Sequence, residues 1–172
     1  MKVEGKADFS GFVNMARRLD VVSNNKAYVG IPQERSSRPG SGEITNAELL
    51  YVQTYGSPIN KIPPRPVIEP ALEENEKRVK ILTERAITSA LNGNKEEAIS
   101  NLHKVGLFAV NAVRAFIRAF PDNGLPPNKP ATIRRKRAKG ATDPKPLIDT
   151  GEMMKSITYV IISKEGRQVG DK

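Results

Sequence analysis

The stretch 62–70, IPPRPVIEP, constrains the fold more than any other part of this sequence, because four of its nine residues are proline. Proline fixes φ and has no backbone N–H, so it is excluded from helix interiors and central strands. The stretch is therefore predicted to be an extended, polyproline-like connector whose shape is set before folding. The residues on both sides have helical patterns, so the connector should join two helices.

A helix with a defined start and end is predicted before the connector. Thr45 and Glu48 have the spacing of a capping box, in which each side chain binds the backbone N–H of the other residue. The helix should run through AELLYVQTY and end at Gly56, with Pro58 beyond it. Further upstream, the pattern of residues 26–31 predicts a short strand.

Two long amphipathic helices are predicted after the connector. The first has Pro70 in its opening turn and runs to about Leu91, and the second begins at Asn94. Because the connection between them is short, they should form an antiparallel hairpin. Their apolar residues recur at helical spacing: Leu72, Val79, Leu82, Ala86 and Ala90 in the first helix, and Ile99, Leu102, Gly106, Ala109, Val113, Phe116 and Phe120 in the second.

The last third of the chain is expected to be irregular at first and ordered near its end. A strand is predicted at 158–163, TYVIIS, followed by a hairpin turn at 164–167 and a return strand at 168–169. A length of 172 residues suits one domain. We therefore expect a single domain, 1–172, with mobile loops at about 32–44 and 121–146.

The composition excludes several classes of site. There is no cysteine and only one histidine, His103, so disulfides, thiolate nucleophiles and multi-histidine zinc sites are absent. The glycines at 40 and 42 lack the residues of a phosphate-binding loop. No apolar run approaches the roughly 18 residues of a membrane helix, and the first ten residues lack the apolar centre of a signal peptide. We expect a cytoplasmic, non-enzymatic protein without metal or cofactor.

Most of the positive charge is concentrated in one segment. Residues 129–145 hold seven Lys or Arg and one Asp, a net charge of +6 out of +9 for the chain. We expect this segment to be an irregular loop whose charges have no partner within the subunit. It is either a solvated loop or a surface that contacts DNA phosphates or an acidic partner. The candidate contact residues are Arg134, Arg135, Lys136, Arg137 and Lys139.

Two further positions have more than one interpretation. Arg65, within the proline-rich connector, is either a solvated group on a spacer or a group that faces a partner. Asp149, Thr150 and Gly151 form the DTG triplet of aspartic proteases, which is a weak signal for a hydrolase. Alternatively, Asp149 or Thr150 caps a short helix that follows, with Gly151 allowing a tight entry.

Three segments follow one another along the chain: NAELLYVQTYGSPINKIPPRPVIEPAL, a long helical middle, and PLIDTGEMMKSITYVI. In this order they resemble the tail-completion and head-tail joining proteins of tailed bacteriophages, and the resemblance covers residues 26 to about 163. The positions that match the motifs of that family are Tyr55, Gly56, Ile62, Pro63, Pro64, Arg65, Pro66, Leu147, Ile148, Asp149, Thr150, Gly151, Ser156 and Ile157.

The resemblance implies an α+β fold, in which a small antiparallel sheet packs with two long helices, the extended proline-rich connector and the long basic loop. It implies a structural virion protein that closes the tail and joins it to the neck as a ring, which we expect to be a hexamer. Its partners would be tail-tube and neck or connector proteins, with non-specific contact to genomic DNA and none to a membrane. The alternative is a nucleic-acid-binding protein that uses 129–145.

Overall fold

The α+β fold class is confirmed by a computed structural model, which describes residues 9–38 and 44–166. These residues form seven α-helices, one short 3-10 helix and two strands. The elements are α1 Ser10–Ser23, β1 Asn25–Gly30, a 3-10 helix at Gln33–Arg35, α2 Asn46–Tyr55, α3 Ile68–Glu74, α4 Glu76–Leu91, α5 Lys95–Arg118, α6 Pro130–Ala138, α7 Glu152–Ser156 and β2 Thr158–Ser163.

The two strands pair antiparallel, which confirms the strands predicted at both ends of the chain. Asn25 lies opposite Ser163, and Gly30 lies opposite Thr158. Ile161 of β2 is buried against the helices, so one face of the sheet belongs to the core. A turn follows β2 at residues 164–166, whereas Arg167 and the predicted return strand at 168–169 lie outside the described residues.

The predicted helical hairpin is formed by α4 and α5, but its first helix is shorter than expected. The chain breaks between α3 and α4 at Asn75, whose φ is −110°. The Asn75 Nδ2 donates a hydrogen bond to the carbonyl of Ala71 at 2.9 Å. Asparagine competes with the helix by bonding nearby backbone, and this local bond accompanies the break. Pro70 lies in the first turn of α3, as predicted.

The larger core cluster surrounds the C-terminal half of α5. It joins this helix to α2, to the proline-rich connector and to α7, so these three parts of the chain are all anchored on one central helix. Burial of aliphatic side chains of this kind is the main source of stability in a chain without tryptophan. The buried members are Leu50, Val67, Ala71, Val113, Phe116, Ile117, Leu125, Met153 and Ile157.

The helix α1 was not predicted from the sequence. It packs against α4 and α5, and the Arg18 Nη1 donates a hydrogen bond to the carbonyl of Leu91 at 3.0 Å. None of its residues is buried, and no side chain caps its start. Phe12 is 67% exposed. Because the helix lacks a capping residue and buries no side chain, the usual sequence signals are weak.

Candidate functional site

The end of α2 is fixed by a glycine and a tight turn. Gly56 has φ 77° and ψ 178°, a conformation that essentially only glycine adopts. Ser57 and Ile62 then exchange two backbone hydrogen bonds of 2.9 Å, which turns the chain back at residues 57–62. The predicted helix end at Gly56 is confirmed, and the tight turn brings the connector back alongside α2.

The start of α2 is a capping box, as predicted. The Glu48 N–H donates to the Thr45 Oγ1 at 3.2 Å, and the Thr45 N–H donates to the Glu48 carboxylate at 2.8 Å. The carboxylate also accepts from the Thr45 hydroxyl at 2.9 Å, and the hydrogen bonds that it accepts from the Thr45 N–H and hydroxyl hold the pKa of Glu48 below its ordinary value. The next residue, Asn46, is buried and donates to the Ser156 Oγ at 3.0 Å, which ties α2 to α7.

Arg65 is a buried residue rather than the solvated group considered above. Only 6% of it is exposed. Its guanidinium donates to the carbonyls of Pro126 and Pro127 at 2.8 and 2.9 Å, and to the Gln53 Oε1 at 3.1 Å. Burial lowers the pKa of the guanidinium. Arg65 therefore joins the connector to α2 and to the chain that leads into α6.

The basic segment is not irregular throughout, which corrects the expectation of a long basic loop. Residues 130–138 form α6, with Pro130 at the first helical position, where a missing N–H costs nothing. Basic residues occupy its last turn, where they interact favourably with the helix dipole. The four exposed candidate contact residues are Arg134, Arg135, Arg137 and Lys139.

Lys136 is buried, unlike the other candidate contact residues. It is 6% exposed, and its ammonium donates to the carbonyls of Lys145, at 2.7 Å, and Ile148. Its charge is thus hydrogen-bonded within the subunit, contrary to the expectation for this segment. Burial lowers the pKa of Lys136, and Asp149 partly opposes this change. Lys136 anchors α6 to the segment that precedes α7.

A cavity of about 340 Å³ lies where the 57–62 turn, α6 and the segment before α7 meet. Its described lining contains six cationic residues but a single carboxylate, that of Asp149. Two lining residues, Lys61 and Leu147, have φ of 52° and 63°, and they are the two non-glycine residues with positive φ in the described chain. The cationic residues are Arg38, Lys61, Arg65, Lys129, Arg135 and Lys136.

The DTG triplet has a different local structure from the predicted cap. Gly151, with φ 82°, is itself the N-cap of α7. The Thr150 Oγ1 accepts from the Glu152 N–H at 3.4 Å, which is too long for a strong hydrogen bond. Asp149 is exposed and faces the basic cavity. The tight entry at Gly151 is present, and the side-chain cap by Asp149 or Thr150 is not.

A second groove is apolar and lies beside the connector. It has a volume of about 280 Å³ and is lined by Ile31, Pro66 and Ile68, together with two tyrosines of α2. The rings of Tyr51 and Tyr55 are 4.8 Å apart, and both side chains are about two-thirds exposed, at 65% and 67%. The tyrosines are four residues apart on one helix face, and this spacing was available in the sequence as a signal for an exposed aromatic pair.

The connector prolines Pro63 and Pro64, and His103, all lie against other parts of the subunit. Pro63 lines the basic cavity, while Pro64 is exposed and its ring lies next to Gly56. The His103 Nδ1 is 3.2 Å from the Tyr159 hydroxyl, and the two rings meet edge to face. His103 is therefore held against the sheet by an aromatic contact.

A metal-binding cluster and a membrane-spanning helix are both absent from the described part of the chain. Residues 9–38 and 44–166 contain no group of three or more His, Cys, Asp or Glu placed to hold a metal ion. The helices of this part are also too short or too polar to cross a membrane. Comparisons of the chain with protein-family models, with curated proteins and with solved structures found no match.

Proposed function

We propose that this chain is a structural subunit of the phage neck, which closes the tail and joins it to the head by forming a ring. The observation that carries the proposal is the convergence of the segments on which the phage resemblance rests. Pro63 of the connector and Leu147 of the late segment line one cavity. Asn46 at the start of α2 bonds Ser156 of α7. The motif residues therefore act as one scaffold.

Ring formation requires surfaces that a neighbouring subunit can cover. The outer edges of β1 and β2 pair with no further strand among the described residues, and free edges favour pairing between chains. Large side chains with apolar surface are also exposed elsewhere on the described chain: Tyr28 of β1 is 52% exposed, and Ile59 of the 57–62 turn is 95% exposed. Such residues suit contacts between copies in a closed ring, for which we propose a hexamer.

The helix α6 provides a second docking surface, which is basic rather than apolar. Its exposed arginines form a basic face that is already folded in the subunit. We propose that this face meets an acidic surface of a tail-tube, neck or connector protein, or genomic DNA in the channel. The irregular basic loop expected from the sequence is thus replaced, at residues 130–138, by a helix held in place by Lys136.

The proposal is tested by the mass of the protein in solution, alone and with tail tubes. Light scattering should show weak association of the free protein and a closed ring once tail tubes are present. The protein should be found in purified virions, after assembly in the host cytoplasm. A mass that remains that of a monomer in the presence of tail tubes, together with absence of the protein from purified virions, would contradict the proposal.

Nucleic-acid binding remains the second candidate, because one observation favours it. Arg134, Arg135 and Arg137 are exposed on one short helix, and their side chains have no hydrogen bond or ion pair with any described residue. If DNA binding is the main function, free protein should bind duplex DNA with a steep salt dependence. The affinity should fall by roughly 0.9 log units per log of salt for each phosphate contacted.

A further inference from the structure

Two buried cations that form no ion pair within the described residues line the basic cavity, and Asp149 is the single carboxylate of its described lining. Arg65 and Lys136 are each 6% exposed, and neither forms an ion pair with a carboxylate of the described residues. Burial is the largest cause of the lowered pKa of Lys136; the Asp149 carboxylate opposes it, and the charges of Arg135 and Arg65 add to it. A buried cation without an ion-paired carboxylate is costly, and a bound anion would offset that cost.

Both buried cations retain unused hydrogen-bond donors. A guanidinium has five N–H donors and an ammonium has three. Arg65 uses three of them on Pro126, Pro127 and Gln53. Lys136 uses two on backbone carbonyls, which leaves one free. Both side chains line the cavity, so the spare donors belong to residues that an incoming oxyanion would meet.

The exposed lining of the cavity adds three more cations. Lys61, Lys129 and Arg135 are exposed, and their side chains make no hydrogen bond or ion pair with residues of the described ranges. Lys61 is one of the two non-glycine residues with positive φ in the described chain, and the other, Leu147, lies in the same lining. Backbone conformations of this kind concentrate at ligand-binding sites.

We infer that this cavity binds a carboxylate side chain from an acidic segment of a partner protein. Carboxylates pair with arginine and lysine through charge-assisted hydrogen bonds. Two of the lining cations, Arg65 and Lys136, are buried, and a volume of about 340 Å³ has room for one side chain of an extended segment. A DNA duplex carries its phosphates on a broad convex surface, which fits the exposed face of α6 better than this recess. The inference goes beyond the ring proposal and does not require a virion partner.

The test uses two neighbouring arginines of α6 that differ in their place relative to the cavity. Arg135 lines the cavity, whereas the equally exposed Arg134 does not. The full chain is titrated with a capped peptide of glutamate residues, with inorganic phosphate and with duplex DNA. Arg135→Ser should weaken peptide binding about tenfold, which corresponds to one charge-assisted hydrogen bond. Arg134→Ser, with the same charge change, should alter it less than about twofold.

A second pair of variants distinguishes a change in the cavity from a change in the stability of α6. Lys61→Asn changes the cavity from the 57–62 turn and keeps a residue type that tolerates positive φ. It should weaken peptide binding, whereas Lys139→Asn at the end of α6 should not. Equal losses in Arg134→Ser and Arg135→Ser, or no binding of the peptide by the unaltered chain, would overturn the inference. Binding of duplex DNA alone, lost in Arg135→Ser, would overturn it in favour of a nucleic-acid site.

Discussion

Gly56 lies against the carbonyl oxygen of Ile62, so closely that a Cβ on this glycine would be 2.8 Å from that oxygen. The contact is with backbone, which cannot move aside as a side chain can. It follows from the turn that carries the chain from α2 into the proline-rich connector. Glycine is therefore required after Tyr55 for a steric reason, in addition to the backbone conformation of Gly56.

Replacing Gly56 by alanine should destabilise the protein strongly. The substitution combines a backbone clash with a φ of 77° and ψ of 178°, and we expect it to lower the free energy of unfolding by about 3 kcal/mol. The control is Gly151→Ala, where φ is 82° but the nearest atom to a Cβ is the Lys155 Cε at 3.8 Å. There the loss should be about 1 kcal/mol. Urea denaturation measures both, and equal losses would show that the clash at Gly56 is relieved.

Arg65→Lys should destabilise the chain although it keeps the positive charge. A lysine ammonium cannot reach two proline carbonyls and the Gln53 amide with the geometry of a guanidinium. We expect the free energy of unfolding to fall by about 2 kcal/mol. The exposed Arg134→Lys is the matched control and should change it by less than about 0.5 kcal/mol. Thermal or urea unfolding that does not distinguish the two variants would contradict the internal role of Arg65.

The two threonines that precede helices should respond differently to alanine substitution. Thr45→Ala removes the cap of α2 and should cost about 1 kcal/mol, whereas Thr150→Ala should cost less than about 0.5 kcal/mol because its bond is long. The pKa of Glu48 is lowered in the folded state, so its contribution is present at neutral pH. It is lost as the pH falls through that lowered pKa, and the effect of Thr45→Ala should shrink in acid. Urea unfolding at neutral pH and in acid checks this prediction. A larger loss of unfolding free energy in Thr150→Ala than in Thr45→Ala would contradict it.

Substitutions in α6 should separate its exposed arginines from its buried lysine. The triple change Arg134→Ser, Arg135→Ser and Arg137→Ser should leave the melting temperature nearly unchanged, because all three are exposed. It should lower the yield of head-joined particles without changing tail-tube length. Adding Lys136→Ser should lower the free energy of unfolding by about 1–3 kcal/mol, since two backbone carbonyls lose their donor. A normal particle yield from the triple variant would contradict docking through this face.

The elements that sequence reasoning identified are those with strong local signals. The capping box at Thr45, the stop at Gly56 and the apolar period of α5 each depend on residues within a few positions of one another, and the structure contains all three. The two strands could also be predicted from the sequence, because β1 and β2 have the residue pattern of strands. Such signals need no knowledge of tertiary packing.

The elements that were missed depend on contacts between distant residues. Arg65 is buried because carbonyls more than sixty positions away meet its guanidinium, a contact that no local pattern encodes. α6 has few apolar residues, and Lys136 anchors it through carbonyls that follow in the chain. α1 lacks a cap and buries no side chain. The basic cavity combines such distant contacts, so the sequence indicated three of its cations, Arg65, Arg135 and Lys136, but missed Arg38, Lys61 and Lys129 and the arrangement of all six.

The most direct test of the ring proposal is the number of copies of this chain in purified phage particles. Quantitative mass spectrometry, with isotope-labelled peptides of the chain as standards, gives that number per particle. The proposal predicts a fixed copy number that matches one hexameric ring. Absence of the chain from purified particles, or a copy number that varies between preparations, would contradict a structural place in the neck.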